Sequence, residues 1–291
     1  MRKSKGLKIF NISNYIGMAI ISFITLIPFV LVFMASISDE SSILRNGFML
    51  IPEKFSLKAY GIILGKGSAI YNAYKISVIV TLSGTLLALA LTSMMAYASS
   101  RRHFRYRNFI SMIAYWPMIF SGGMVPFYIV LLSLHLKNNL LGLIIPMAMS
   151  PVNVFLMLNY FRSLPAALID SAKIDGASEL TTYLKIIMPL SGPVIATVGL
   201  FYMLAYWNNW YLALLLIDKA ELYPLQFLLR QVMSKVQFAQ TGLGQTLQTG
   251  SIPAQSVRMA TVVATIGPII IVYPYIQKFF VKGITIGAVK G

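Results

Sequence analysis

Two clusters of polar residues in this chain of 291 residues interrupt otherwise hydrophobic sequence, and each has residue types that could do chemistry. One is Tyr202, Tyr206, Trp207, Asn208, Asn209, Trp210 and Tyr211. Aromatic faces stack on the C–H faces of sugars, and amides supply the donors and acceptors that sugar hydroxyls need. Adjacent asparagines at membrane depth are costly unless they are hydrogen-bonded or line water. The same residues would also serve as an interfacial aromatic belt with interhelical amide bonds, so both readings stand at this point. Tyr115, Trp116 and Phe120 in an earlier apolar run, and Asn153 in the next, are further candidates for one substrate pathway.

The other cluster is the polar interruption 165–193, PAALIDSAKIDGASELTTYLKIIMPLSGP. Pro165 is pre-set for the first turn of a helix. Asp170, Ser171, Ala172, Lys173, Ile174 and Asp175 continue it with apolar residues on one face, and Gly176 can close it in a left-handed conformation. A second short helix is expected to reach Met188, with Pro189 and Pro193 leading into the next apolar run. A short amphipathic helix pair at a membrane surface is a docking element.

Catalytic chemistry is not visible elsewhere. Cysteine is absent, which excludes disulfides and thiolate catalysis. His103 and His135 have no ligand-spaced partner, so no metal site is expected. The stretch Gly61-Ile62-Ile63-Leu64-Gly65-Lys66 has the wrong glycine spacing for a phosphate loop and lacks the following Ser or Thr. No nucleotide site is expected in this chain.

The elements that carry these clusters follow from composition. The chain is 57% hydrophobic and 11% charged, with a mean hydropathy of +0.75, too apolar for a soluble domain of this length. A helical span needs roughly 20 apolar residues. Six runs reach that length, at about 15–37, 76–99, 109–133, 140–160, 189–217 and 259–280. The expected fold is therefore all-α, one polytopic membrane domain over 1–291. Pro117, Gly122, Gly123 and Pro126 mark the third run for a kink or break. Outer loops are expected at 38–74 and 218–257, the latter opening with an amphipathic helix near Leu225–Val236 and turning Gly- and Gln-rich over 241–250. With both termini inside, more than half of the 24 Lys and Arg lie on inner segments, clustered most tightly at Arg101, Arg102, Arg105 and Arg107. The net charge of +16 thus reports topology, not nucleic-acid binding. Residues 1–36 are read as a retained first helix, since the apolar run is too long for a signal-peptide core. Gly84, Ala88, Thr92 and Ala96 recur every four residues, which suits close helix packing inside a bundle.

Asp170-Ser171-Ala172, Gly176 after three residues, Ile186 after nine more, then Met188-Pro189, resembles the EAA loop of binding-protein-dependent ABC importer permeases. The family pattern has Glu-Ala-Ala, Gly and Ile-x-Leu-Pro at those spacings; this chain has Asp, Ser and Met at three of the positions. The carboxy-terminal segment from Gln277, with Lys282, Gly283, Gly287 and Lys290, is similar to the tail shared by maltose-type sugar permeases. Leu222–Gln226 and the following loop resemble the branch associated with complex oligosaccharides, including acidic glycans. The resemblance implies a type I importer permease with a cytoplasmic coupling helix in the bacterial cytoplasmic membrane. It implies a second permease subunit, two ATPase subunits that bind ATP and Mg, and an extracytoplasmic sugar-binding protein as partners. On this resemblance Asp170, Ser171, Ala172, Asp175, Gly176, Ile186 and Pro189 couple to the ATPase, and the tail reaches toward it. A secondary transporter or an integral membrane enzyme is the alternative, disfavoured by the lack of intramembrane charges and convergent catalytic groups.

Overall fold

A computed structural model describes residues 5–65, 68–239, 255–268 and 270. The tail residues Lys282, Gly283, Gly287 and Lys290, and the Gly-rich stretch 241–250, lie outside the described residues. Regular structure among the described residues is helical, apart from an isolated antiparallel bridge between Ser38 and Phe55. These residues fall into two compact units: those within Met1–Ser68 and Leu229–Pro268, and those within Ala69–Leu228 and Ile269–Gly291.

The first unit begins with a 32-residue helix, Lys5–Ser36, which starts well before the expected run at 15–37. Its segment Phe10–Ser36 is long and apolar enough to cross a bilayer. Ser36 shares a hydrogen bond with the Tyr60 hydroxyl at 2.9 Å, tying the end of this helix to the short helix Lys58–Ile63. Glu40 accepts hydrogen bonds from the amides of Gln255 and Ser256 and from the Ser256 hydroxyl, each at 2.8 Å. That carboxylate meets the unpaired amides at the start of the helix over 255–268, where the helix dipole also favours a negative charge. This last helix therefore begins slightly before the expected end of the outer loop, and the remainder of the sixth run is largely outside the described residues.

The second unit is organised on the helix Ala69–Ser100, which like Phe10–Ser36 is continuous and long enough to span a membrane. Its buried face includes Ile76, Val80, Gly84, Ala88, Thr92 and Ala96, one residue per turn, and packs against the helices Gly192–Trp207 and Pro151–Ser163. The small-residue stripe is what allows that approach. A Cβ on Gly84 would lie 2.5 Å from the Tyr206 ring, so only glycine leaves room for the tyrosine.

Three of the six apolar runs are broken, the third as expected and the fourth and fifth in addition. The third divides into Arg107–Ile119 and Met124–Ser133, with Gly123 at φ +84° between them, where glycines and prolines had marked the run. The fourth contains Leu141–Ile144, a 3-10 turn Ile145–Met147, and Pro151–Ser163 after a 51° bend. Pro146 and Pro151 lack amide donors and cannot carry a continuous ladder through this stretch. The fifth ends as Gly192–Trp207 and resumes as Tyr211–Leu216. Beyond the end of Tyr211–Leu216, Asn138 accepts hydrogen bonds from the amides of Asp218 and Lys219 at 2.7 and 3.2 Å, and Lys137 pairs with Asp218 at 3.0 Å. The short loop 134–139 and the start of the 218–257 loop are thus joined. The expected amphipathic helix is present as Leu225–Ala239, its first amide donated to the Ser77 hydroxyl at 2.8 Å.

Candidate functional site

The polar interruption folds as a helix, a tight turn and a second helix. Pro165 stands at the N-cap, one position outside the first turn, and the helix runs Ala166–Ile174. Asp175 ends it, and Gly176 follows at φ +73°. The Gly176 amide donates to the Lys173 carbonyl at 3.1 Å and the Ala177 amide to the Ala172 carbonyl at 2.9 Å, the paired bonds of a Schellman turn. Ser178 caps the second helix through the Thr181 amide at 3.2 Å. That helix runs past the expected end at Met188: Glu179–Thr182 leads into a π-helical turn, Tyr183–Ile187, and then Met188–Leu190. Pro189 has no amide for the ladder, and the wider turn directly before it absorbs the defect. The chain then bends by 83° into Gly192–Trp207.

Of the coupling candidates, Asp170, Ser171, Asp175, Gly176 and Pro189 are exposed, Ile186 is half-buried and Ala172 is buried. Ile169 packs on the core beside it, so the helix is seated on one face and open on the other. The open surface also carries Ile174, 86% exposed, with Leu180 and Leu184. Apolar side chains in that state, set among carboxylates, make a surface suited to a protein partner.

Glu179 holds this loop in place, a residue the sequence reading passed over. Its carboxylate accepts from the Tyr97 hydroxyl at 2.6 Å, lies 3.4 Å from the Lys173 ammonium and 3.6 Å from the Arg101 guanidinium. Lys173 belongs to the first loop helix, whereas Tyr97 and Arg101 sit at the C-terminal end of Ala69–Ser100. Arg101 lies over the Tyr97 ring at 4.5 Å, and Tyr183 packs on the same ring at 5.1 Å while bonding Ser93 at 2.7 Å. The Tyr97 hydrogen bond, with the neighbouring cations, holds the Glu179 carboxyl below the usual carboxylate range. The signal in the sequence is the pair Tyr97 and Arg101, one turn apart on the face that also carries Ser93, so that Arg101 serves this network as well as the basic cluster.

A cavity of about 880 Å³ opens beside this network, lined by the segment 97–104, Arg107, Asn108, Phe161 and Arg162 and, from the loop, by residues that include Asp170, Lys173 and Glu179. None of the pathway candidates lines it.

Those candidates hold the breaks in the bundle. Tyr206 is buried against Gly84 and donates to the Ile144 carbonyl at 2.8 Å. One turn earlier, the Tyr202 hydroxyl accepts from the Ser150 amide at 2.9 Å and bonds Thr92 at 2.6 Å. Both tyrosines therefore satisfy backbone groups freed where the fourth run breaks. Asn208 donates to the Leu204 carbonyl at 2.9 Å and accepts from Gln226 at 3.2 Å. Asn209 accepts from the Leu212 amide at 3.0 Å, capping Tyr211–Leu216, and its amide nitrogen lies 2.8 Å from the Met147 sulfur. Trp207 is buried and its indole nitrogen has no partner among the described residues. Asn153 is buried on Pro151–Ser163. Tyr115 and Trp116 are about half exposed, the first edge-on to Phe155 and the second stacked on Phe120. Only Tyr115, Trp116 and Asn208 among these stand open. Among the described residues, no group of His, Asp and Glu could hold a metal ion.

Residues 61–286 match the family of binding-protein-dependent transport system inner membrane components. The chain is 38% identical over 291 residues to Protein LplC of Bacillus subtilis, covering 100% of this chain and 98% of that protein. It is 37% identical to the Bacillus subtilis polygalacturonan/rhamnogalacturonan transport system permease protein YtcP, covering 98% and 99% of the two chains. Its fold is similar to a chain in the crystal structure of a bacterial ABC transporter involved in the import of the acidic polysaccharide alginate, with a TM-score of 0.83 and 31% identity over 96% of this chain and 99% of that one.

Proposed function

The chain belongs to the binding-protein-dependent transport system inner membrane components, and from that premise we propose that it passes oligosaccharides, acidic ones in particular, through a heterodimeric permease. As a family member it is a multi-pass membrane permease of a binding-protein-dependent complex, and ATP is used by partner subunits. The observation that carries the coupling role is the exposed helix Ala166–Ile174, closed by Gly176 and anchored by Glu179 to the helix Ala69–Ser100. A partner gripping Asp170, Ser171 and Ile174 moves a lever already bonded to the centre of the bundle.

The cycle then follows. ATP closes two ATPase subunits, loop 165–193 moves with them, and the bundle opens outward to accept sugar from the extracytoplasmic binding protein. Each ligand must favour one of the two states differentially for this to work. Both termini lie in the cytoplasm on this reading, the whole chain acts as one permease domain, and the tail with Lys282, Gly283, Gly287 and Lys290 approaches the ATPases. The outer loop 218–257 meets the binding protein. In the pathway, Tyr115, Trp116 and Asn208 face sugar, while Asn153, Tyr206, Trp207 and Asn209 hold the broken helices that shape the route. Broken helices at membrane depth are tolerated where they are packed in protein or line water, and the Asn208–Trp210 break fits that rule.

The acidic-sugar assignment rests on the names carried by the polygalacturonan/rhamnogalacturonan relative and the alginate transporter. Uptake of labelled oligogalacturonides and of neutral maltooligosaccharides, in cells with and without this chain, tests it. Chain-dependent uptake of the uronides is expected; dependence for the neutral sugars alone would reject the acidic class.

A further inference from the structure

The cavity beside the docking loop is more than the space behind a lever. Arg101, Arg102, Arg107, Arg162 and Lys173 line it against two carboxylates, Asp170 and Glu179, so five cations face two anions. Glu179 is already engaged by Tyr97, Arg101 and Lys173. Arg107 is oriented by donating to the Arg102 carbonyl at 3.2 Å, and Arg162 donates to the Ser99 carbonyl at 3.4 Å. Arg101, its side chain 13% exposed, keeps donors to spare: its Nε and Nη2 have no hydrogen-bond acceptor among the described residues, the 3.6 Å from Nε to Glu179 being an ionic contact too long for a hydrogen bond. Buried donors without an acceptor are unfavourable, and an anionic oxygen supplies what they lack.

The surroundings say what carries that anion. The cavity sits at the end of Ala69–Ser100, a helix long and apolar enough to span a membrane, and the end of such a span falls where bilayer meets water. From its rim the helix Arg107–Ile119 leads away with Phe109, Met112 and Ile113 exposed. A basic pocket continuous with an exposed apolar helix matches a phosphate on a pair of acyl chains. An acidic peptide would use the charges and leave the apolar face unexplained. The geometry points to a binding site for the phosphate headgroup of an anionic phospholipid, with the acyl chains along Arg107–Ile119. Basic pockets between helices at the membrane surface are a general means of holding such headgroups. Because the site shares Lys173 and Glu179 with the docking loop, a bound lipid braces that loop from behind. This inference stands independently of which sugar is carried.

The test uses the full-length chain purified within its transport complex, in detergent micelles doped with phosphatidylglycerol, with phosphatidylcholine, or with glycerol 1-phosphate free in solution. Phosphatidylglycerol should bind saturably and raise the Tm, phosphatidylcholine should do neither, and glycerol 1-phosphate should compete weakly. Each interfacial cation contributes about fivefold in affinity, so the double variant Arg102→Gln/Arg107→Gln should weaken phosphatidylglycerol binding roughly 25-fold. The pair Arg102→Lys/Arg107→Lys keeps the charges and should retain most of the binding, which separates loss of the site from loss of the fold. Equal binding of the two lipids, unchanged binding by the Gln pair, or a poly-glutamate peptide that displaces phosphatidylglycerol as well as more of the same lipid does would each overturn the assignment.

Discussion

At the docking loop the side chains that would meet a partner stand exposed, while the structure behind them is tightly bonded. At the break Asn208–Trp210 the arrangement is reversed. There Asn209 and the nearby tyrosines are engaged with groups of the chain itself, and of the two asparagines only Asn208 stands open. Gly176 sits in a left-handed turn with open space around it, whereas Gly84 has a tyrosine ring where its side chain would be. Polar residues in the two regions thus answer to different needs. In water, a short helix frees its outer face for recognition once one carboxylate, Glu179, has fixed its inner face. In the bilayer, a break in a helix creates unmet amides and carbonyls, and the nearest polar side chains meet them first.

This contrast predicts that docking-loop changes impair transport with the fold intact, and that break-region changes impair the fold. The largest effect is expected for Gly176→Val. No atom lies within 4 Å of the new Cβ, so the penalty is backbone strain alone, about 1 kcal/mol or more at a positive φ. The helix that follows would be misplaced, and uptake should fall at least tenfold while the amount of inserted protein stays normal. Asp170→Lys should do the same by reversing a charge on the exposed face. Gly84→Val is the counterpart in the bundle: forcing the Tyr206 ring aside should cost about 1–3 kcal/mol and lower the detergent Tm, with uptake falling only as folded protein falls.

The asparagines divide the contrast further. Asn209→Leu removes a cap and should lower stability, measured as Tm, without changing the uptake of molecules that remain folded. Asn208→Leu removes bonds to Leu204 and Gln226, on the order of 0.6 kcal/mol for an interhelical pair, and should also slow uptake per folded molecule. Uptake unchanged by Asn208→Leu would move that residue wholly to the structural side.

The smallest effect is a pH dependence. Glu179 titrates lower in the folded chain than its ordinary value of 4.5. Its contribution to holding the loop is therefore complete above about that pH and is lost as pH falls through the lowered native value. More than half of its side chain is exposed, so the global Tm should hardly respond. Hydrogen exchange of the 173–183 amides should quicken in mild acid, and Glu179→Gln should remove that pH dependence.

Much of this was legible in the chain itself. The apolar runs located the helices, Gly123 fell within the run expected to break, and the spacing Asp170 to Pro189 marked the docking loop. Hydropathy did not reveal the interruptions at Ala148–Ser150 and Asn208–Trp210, because the first is itself largely apolar and the second is a short gap averaged out by the apolar residues on either side. Pro146 and Pro151 were the local warning, since neither can donate to a helical ladder. The role of Glu179 was hidden for a different reason: Tyr97 lies 82 positions away, and only the packed helices bring the two together. Tyr206 shows the converse hazard. Its residue type suited a sugar, but its fate was set by the Ile144 carbonyl, freed where a proline ended a helix elsewhere in the sequence.

The central claim is that loop 165–193 is the cytoplasmic handle by which a partner ATPase drives the bundle. Because the chain contains no cysteine, Ser171→Cys introduces a single reactive thiol on the exposed face of the docking helix. Intact cells and inside-out vesicles would be treated with a bulky membrane-impermeant maleimide, and labelling scored in both. Energised transport of sugar would be followed before and after treatment of the cytoplasmic face. The account predicts labelling from the cytoplasmic side alone, with loss of ATP-driven transport once the thiol is blocked. Labelling in intact cells, or full transport by the quantitatively labelled protein, would contradict it.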